Sequence, residues 1–317
     1  MANETTTTTL DDLTNASLVE PYLIHALSEQ PGLYRFCKEF SLIGKPTNAL
    51  KIPSETSWWG SANDDGAGVD TEFDATQATA LSNTAISTGS VTLTCAEYGV
   101  ALQVTDNVGE DSADGLDVMM RFEQRMLHVI SLAMEDDFLA LLASLSNTVG
   151  TSGADLTIAQ LLASLRGLRT RGVNADSTVI ILDNQQVADV EDAFIATNAA
   201  AAIFALAADR VLNWQPSADN GLGANRMIST FRGNPTFSTG LTDTANAAAD
   251  VVGASITPSS AYNDSTGHTT FGMGWKRLPS FASQYQAKAR GTDLVMTCRA
   301  GFVELLDGSG TAIITDA

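Results

Sequence analysis

The sequence predicts an α+β fold, and three stretches carry that expectation. Gly115–Leu145 has the periodicity of one long amphipathic helix, residues 146–270 alternate helical and strand patterns, and Phe281–Ile314 is rich in strands. At 317 residues, 44% of them apolar, the chain has the size and composition to build two or three substructures around real cores.

The first sixteen residues form a polar, Thr-rich tail with too little apolar surface to pack alone. Pro21, Leu23, Ala26 and Leu27, then Leu33, Phe36, Cys37 and Phe40, have helical spacing and predict two short amphipathic pieces divided by Pro31–Gly32. Ser41–Ser90 changes character to Gly, Thr, Ser, Asn and Asp, far beyond the usual length of a structureless connection. Between Ser54 and Ser90 there are six acids and no Lys or Arg, so a loop there cannot bury itself. Trp58, Trp59 and Phe73 beside Asp64, Asp65, Asp70 and Glu72 point to contact with another surface, a small local cluster being the alternative. Val91, Leu93 and Cys95 then alternate as a strand. Tyr98, Val100, Leu102 and Val104 alternate on the opposite parity, which predicts a bulge or turn near Ala96–Glu97.

The long helix follows. Leu116, Met120, Leu127, Ile130, Met134, Phe138, Leu141 and Leu145 make an apolar stripe, while Asp117, Arg121, Gln124, His128, Ser131 and Glu135 make a polar side facing neighbours or an interior. Glu135-Asp136-Asp137 reads as a solvated or Arg-paired face. Ser112 or Asp114 supplies a cap, and Asn147 and Gly150 a stop. About 30 residues at ~1.5 Å each give a rod of roughly 45 Å, well beyond an ordinary helix. A second helix is expected over Ile158–Leu168, ending near Gly172, with a buried strand over Ser177–Leu182. Helices over Gln185–Ile195 and Ala199–Leu212 precede short strands at Arg226–Ser229 and Pro235–Ser238, divided by a turn at Gly233–Asn234. The strands of Phe281–Ile314 are expected to form one terminal sheet, against which the helix stripe buries.

Charge excludes some functions. The net charge of −20 opposes a surface built to grip nucleic acid. Residues 1–113 carry 16 acids and 4 bases, whereas 271–317 carry 4 acids and 5 bases. The acidic arm and loop are therefore expected to meet Lys276, Arg277, Lys288 and Arg290 of another copy. Cys37, Cys95 and Cys298 have neither disulfide-framework nor zinc spacing, and neither a secretory leader nor a membrane span is expected.

No enzyme is expected: there is no GxSxG elbow, and His25, His128 and His268 lack suggestive neighbours. GLGANR at 221, GMGWKR at 272 and the calcium-loop-like NDDGAGVDTEFD at 63 each miss a required residue or element, so no cofactor or metal is expected.

The order of parts, and VALQVTDNVGEDSADGLDVMMRFEQRMLHVISLAMEDDFL in particular, resembles the major capsid proteins of tailed bacteriophages, the Hong Kong 97-like coat fold. LLASLRGLRTRGVNADSTVIILDNQQ is similar to the helix and strand opening that family's axial domain, and FRGNPTFSTGL to its Gly-x-Pro strand pair. QAKARGTDLVMTCRAGFVELLDGSGTAII is similar to its closing strands. The resemblance runs from about Ser17 onward. It implies an N-terminal arm (1–40), an extended loop (41–105), a peripheral domain with spine helix (106–145 and 271–317) and an axial domain (146–270).

It also implies a virion shell subunit, assembled in the host cytoplasm from hexamers and pentamers around double-stranded DNA that it touches weakly. The implied partners are copies of itself, a separate scaffolding protein, a portal and a decoration or cement protein. Some members crosslink through a lysine on the extended loop; here the loop lacks Lys from Ser54 to Ser90, leaving Lys45 and Lys51 at its base. An encapsulin-like compartment subunit is the alternative with the same fold. An acidic surface-layer or adhesin protein is the alternative outside it.

Overall fold

The computed structural model describes residues 4–5, 32–55, 88–106, 115–174, 178–200, 215–216, 227–246, 249–259 and 269–316. Its longest helix, α1, runs unbroken over Gly115–Ala140 and closes in a 3₁₀ turn, Leu141–Ser144. Met126, Ile130, Met134 and Phe138, four apart, form its buried row. Leu127, expected in the stripe, lies about 100° off that row and is 43% exposed. Glu135, expected on the polar side, is fully buried, because a second row through Leu139 and Leu142 widens the covered face.

The described residues form three sheets, two of which pack on this helix. A five-stranded sheet has the order β1 (Glu4–Thr5), β5 (Ala96–Thr105), β14 (Gly291–Glu304), β13 (Phe271–Gln286) and β2 (Lys38–Ser41). In β14, Leu294, Met296, Cys298 and Ala300 alternate inward and join the α1 row in one core. The Phe138 ring meets Phe271 edge-on at 5.6 Å and Phe302 at 6.2 Å. The expected burial of the helix against the terminal strands is thus observed.

A central sheet has the order β6 (Thr148–Gly150), β15 (Gly310–Asp316), β12 (Asp250–Ile256), β7 (Val179–Asp183), β10 (Asn234–Thr239), β9 (Met227–Phe231) and β8 (Gln215–Pro216), with β11 (Thr244–Ala245) also on β12. Every residue of β7 is buried, as a strand covered on both faces requires. Val179 and Ile181 enter the α1 core. Ile180 and Leu182 enter a second core with Leu161, Leu165 and Leu168 of α2 (Ile158–Thr170). A capping box, Thr157 with Gln160, starts α2, and Gly172 beyond its end adopts φ 79°. From α3 (Asn184–Ala200), the buried Gln186 side chain donates to Ile313 O and Thr315 Oγ1 and accepts from Asp183 N.

Three expectations need correction. The terminal strands do not share one sheet: β13 and β14 stay in the five-stranded sheet, but β15 crosses over and pairs with β12 and β6. An uninterrupted apolar strand suits the doubly covered central sheet, where Ala312 and Ile313 enter opposite cores. Residues 33–40 are not a helix but a 3₁₀ turn, Leu33–Phe36, followed by β2 in parallel with β13. The β9–β10 turn lies one residue early, at Arg232–Gly233, both with positive φ as a tight hairpin demands. The helix expected over Ala199–Leu212 falls almost wholly outside the described residues.

β3 (Ala49–Glu55) and β4 (Thr88–Thr94) form a separate antiparallel pair in register from Ala49↔Thr94 to Glu55↔Thr88. Cys95 lies between β4 and β5 and donates its N–H to Asn48 O, so the predicted change of parity marks the step from one sheet to another. Gly301 passes beneath this step: a Cβ there would lie 2.1 Å from Thr94 O. Gly301→Ala is therefore expected to destabilise the chain by about 1–3 kcal/mol, the usual cost of overpacking. Gly308→Ala, with open space around it, should leave the urea midpoint unchanged.

Candidate intersubunit surface

The basic residues expected to contact another copy all lie on one hairpin, β13–β14 and its turn. Strand β2 pairs β13 only from Gly272 to Trp275, so among the described residues no strand covers the outer edge of residues 277–286. That edge is irregular: its register with β14 shifts on both sides of Arg277, and Pro279 removes a donor. Leu278 and Tyr285 along it are 55% and 57% exposed.

The four cations do not form one patch. Lys276 and Arg277 lie near the root of the hairpin, Lys288 and Arg290 at its tip, about ten strand residues or roughly 30 Å away. Arg277 Nη2 lies 2.6 Å from Glu97 Oε1 and donates to Thr297 Oγ1 at 3.0 Å. Lys276 Nζ donates to Lys45 O at the base of the β3–β4 pair. At the tip, Arg290 takes positive φ and its carbonyl accepts from Asp106 N, while the Tyr285 hydroxyl donates to Asp106 Oδ2 at 2.8 Å. Lys288 and Arg290 are exposed. Trp58, Trp59, Asp64, Asp65, Asp70, Glu72 and Phe73 lie outside the described residues.

The acidic triplet of α1, expected to be a solvated or Arg-paired face, is exposed at Asp136 and Asp137 but buried at Glu135. Glu135 Oε2 accepts from Leu33 N at 3.1 Å and also from Gly32 N. Asp137 accepts from the Tyr98 hydroxyl, whose titration is pushed far up by burial first and then by this bond. Only Asp136 and Asp137 keep exposed positions. The signal was available: Glu135 precedes Leu139 and Leu142 by four and seven residues, an apolar row of its own.

GMGWKR at 272 lies within β13, with no helix after it. Among the described residues, no three His, Cys, Asp or Glu side chains gather to hold a metal ion, and no helix is long and apolar enough to cross a membrane.

No protein-family model and no curated protein sequence matches the chain. Solved structures do match over nearly its whole length. The capsid of the cyanophage P-SCSP1u superposes with a TM-score of 0.62 at 10% identity, covering 95% of this chain and 94% of that one. The head of Helicobacter pylori bacteriophage KHP40 gives 0.64 at 10% identity, covering 95% of each. The chain has the Hong Kong 97-like coat-protein fold. The SrpI encapsulin of Synechococcus elongatus PCC 7942 shares it, with a TM-score of 0.59, 10% identity and 92% of each chain covered.

Exposed ion pairs contribute little, so Arg277→Ala should lower subunit stability by less than about 1 kcal/mol in urea titration. Its exchange therefore probes contacts between subunits without unfolding one.

Proposed function

We propose that the chain is the major capsid protein of a tailed bacteriophage, a structural protein and not an enzyme, which assembles through hexamers and pentamers into an icosahedral shell around double-stranded DNA. The observation that supports this best is the superposition on phage capsid and head proteins over about nineteen-twentieths of both partners. The virion is accordingly its proposed location.

Many copies of the chain are the first partners. A separate scaffolding protein, a portal and a decoration or cement protein are the others. In this reading the β3–β4 pair is the root of the extended loop, and α1 with β5, β13 and β14 is the peripheral domain. The central sheet with β15 is the axial domain, which moves residues 310–316 out of the peripheral domain. The acidic segment between Glu55 and Thr88 would lie against the hairpin cations of a neighbour, Lys276 and Arg277 at one end or Lys288 and Arg290 at the other. Its opposite charge supports that placement.

The encapsulin-like alternative is supported by the SrpI superposition. Expression with candidate scaffolds, followed by electron microscopy and a nuclease-protection assay, separates the readings. Closed icosahedral particles holding protected DNA after filling are expected; particles that hold only protein cargo support the compartment, and persistent monomers under all scaffold and salt conditions overturn both. Deleting residues 57–85 should leave a folded subunit that closes no stable shell. Charge reversal at Lys276, Arg277, Lys288 and Arg290 should reduce particle yield severalfold at low salt, and unchanged yield refutes the charge contact.

A further inference from the structure

We infer that Glu135 is the positioning residue that fixes where the N-terminal arm joins the spine helix. Acidic side chains are rarely enclosed without strong partners, yet Glu135 has no exposed surface. A leucine at 135 would simply continue the row of Leu139 and Leu142. What a leucine could not do is accept the N–H groups of Gly32 and Leu33, as Glu135 Oε2 does. Those groups open the 3₁₀ turn Leu33–Phe36, for which no capping side chain comes from its own N-cap residue. The carboxyl group is therefore a cap supplied from a hundred residues away.

Its surroundings show that the cap is a fastening point rather than a local repair. Immediately after it, Leu33, Phe36 and Cys37 sink into the α1 core, with the Phe36 ring 5.0 Å from Phe237. Phe36 O accepts from Ser259 N at 2.8 Å, and β2 then pairs with β13. Glu135 is thus the first of three successive anchors on residues 32–41. Two residues farther along α1, Asp137 holds Tyr98 of β5, the strand whose outer edge receives β1 from the start of the chain. Glu135 and Asp137 therefore hold the arm root and the strand that leads out of the extended loop to one helical turn, while the exposed Asp136 between them does neither.

Trypsin reads the clamp directly. Arg35, inside the capped turn, is the first Lys or Arg in the sequence, so cleavage there releases the arm as one fragment of defined mass. The full-length wild-type chain should resist cleavage at Arg35. Glu135→Leu should accelerate it about tenfold, the consequence of leaving the Gly32 and Leu33 N–H groups without their acceptor. Glu135→Gln, which keeps a carbonyl oxygen, should restore most of the protection, and Asp136→Asn should change nothing. An unchanged Arg35 rate in a folded Glu135→Leu chain overturns the inference. Should that variant not fold, amide exchange in the wild-type chain decides: protection of Gly32 and Leu33 equal to that of Ser259 supports the clamp, and exchange at the rate of exposed amides refutes it.

Discussion

The structure depends on one packing contact, the row Met126, Ile130, Met134 and Phe138 of α1 against the inward residues of β14 and one face of the central sheet. A helix this long is not held by propensity, because helix stability in water comes mainly from burying a face. Here the buried face is shared by two sheets, so the helix is also what joins them. Val252, Ala254 and Ile256 of β12 and Leu294, Met296 and Cys298 of β14 belong to the same core. Removing the row would uncover the face that each sheet turns toward the helix.

The crossings between the sheets reinforce that contact. The chain passes from β12 toward β13, from β14 to β15 and from α1 to β6 at one place. Thr257 N donates to Thr270 Oγ1, and the Thr257 and Thr270 hydroxyls both donate to Ser309 O at 2.9 Å. Asp307 accepts from Ser146 N at 2.7 Å, and a Cβ on Gly310 would strike Leu145 and Thr270. Buried hydroxyls are stable where each finds a partner. The junction is therefore tight, and it joins the two sheets alongside α1 and the Phe36 segment, which packs on Phe237 and leads into β2.

How much of this the sequence showed follows from which residues carry periodic information. The α1 helix, α2, β7 and the change of parity expected near Ala96–Glu97, found as the step at Cys95, were legible because burial repeats there with a period of 3.6 or 2. The crossover of β15 was not, since TAIIT reads as a buried strand in any sheet and strand order is a tertiary choice. Leu33 and Phe36 fitted a helix only because a 3₁₀ turn also returns a side chain to the core after three residues. Glu135 was read by its charge when its place in the Leu139 and Leu142 row should have decided. For the candidate surface, composition identified Lys276, Arg277, Lys288 and Arg290, but not that a strand some 30 Å long separates them or that Arg277 is engaged by Glu97.

The β13 edge that no described strand covers makes sense of those residues together. A long sheet edge is a template for indiscriminate pairing, and single proteins blunt it with bulges, proline and charge. β13 has all three in its first few edge residues: two register shifts, Pro279, and Lys276 with Arg277. Beyond them, from Ser280 to Gln286, the register with β14 is regular again. If the proposed shell is right, a subunit that must stay soluble yet meet many copies of itself gains from such an uneven edge, guarded at the root and ordered toward the tip. In the proposed shell, a neighbour would then be selected by matching charge before any backbone pairing begins, which favours correct encounters over aggregation.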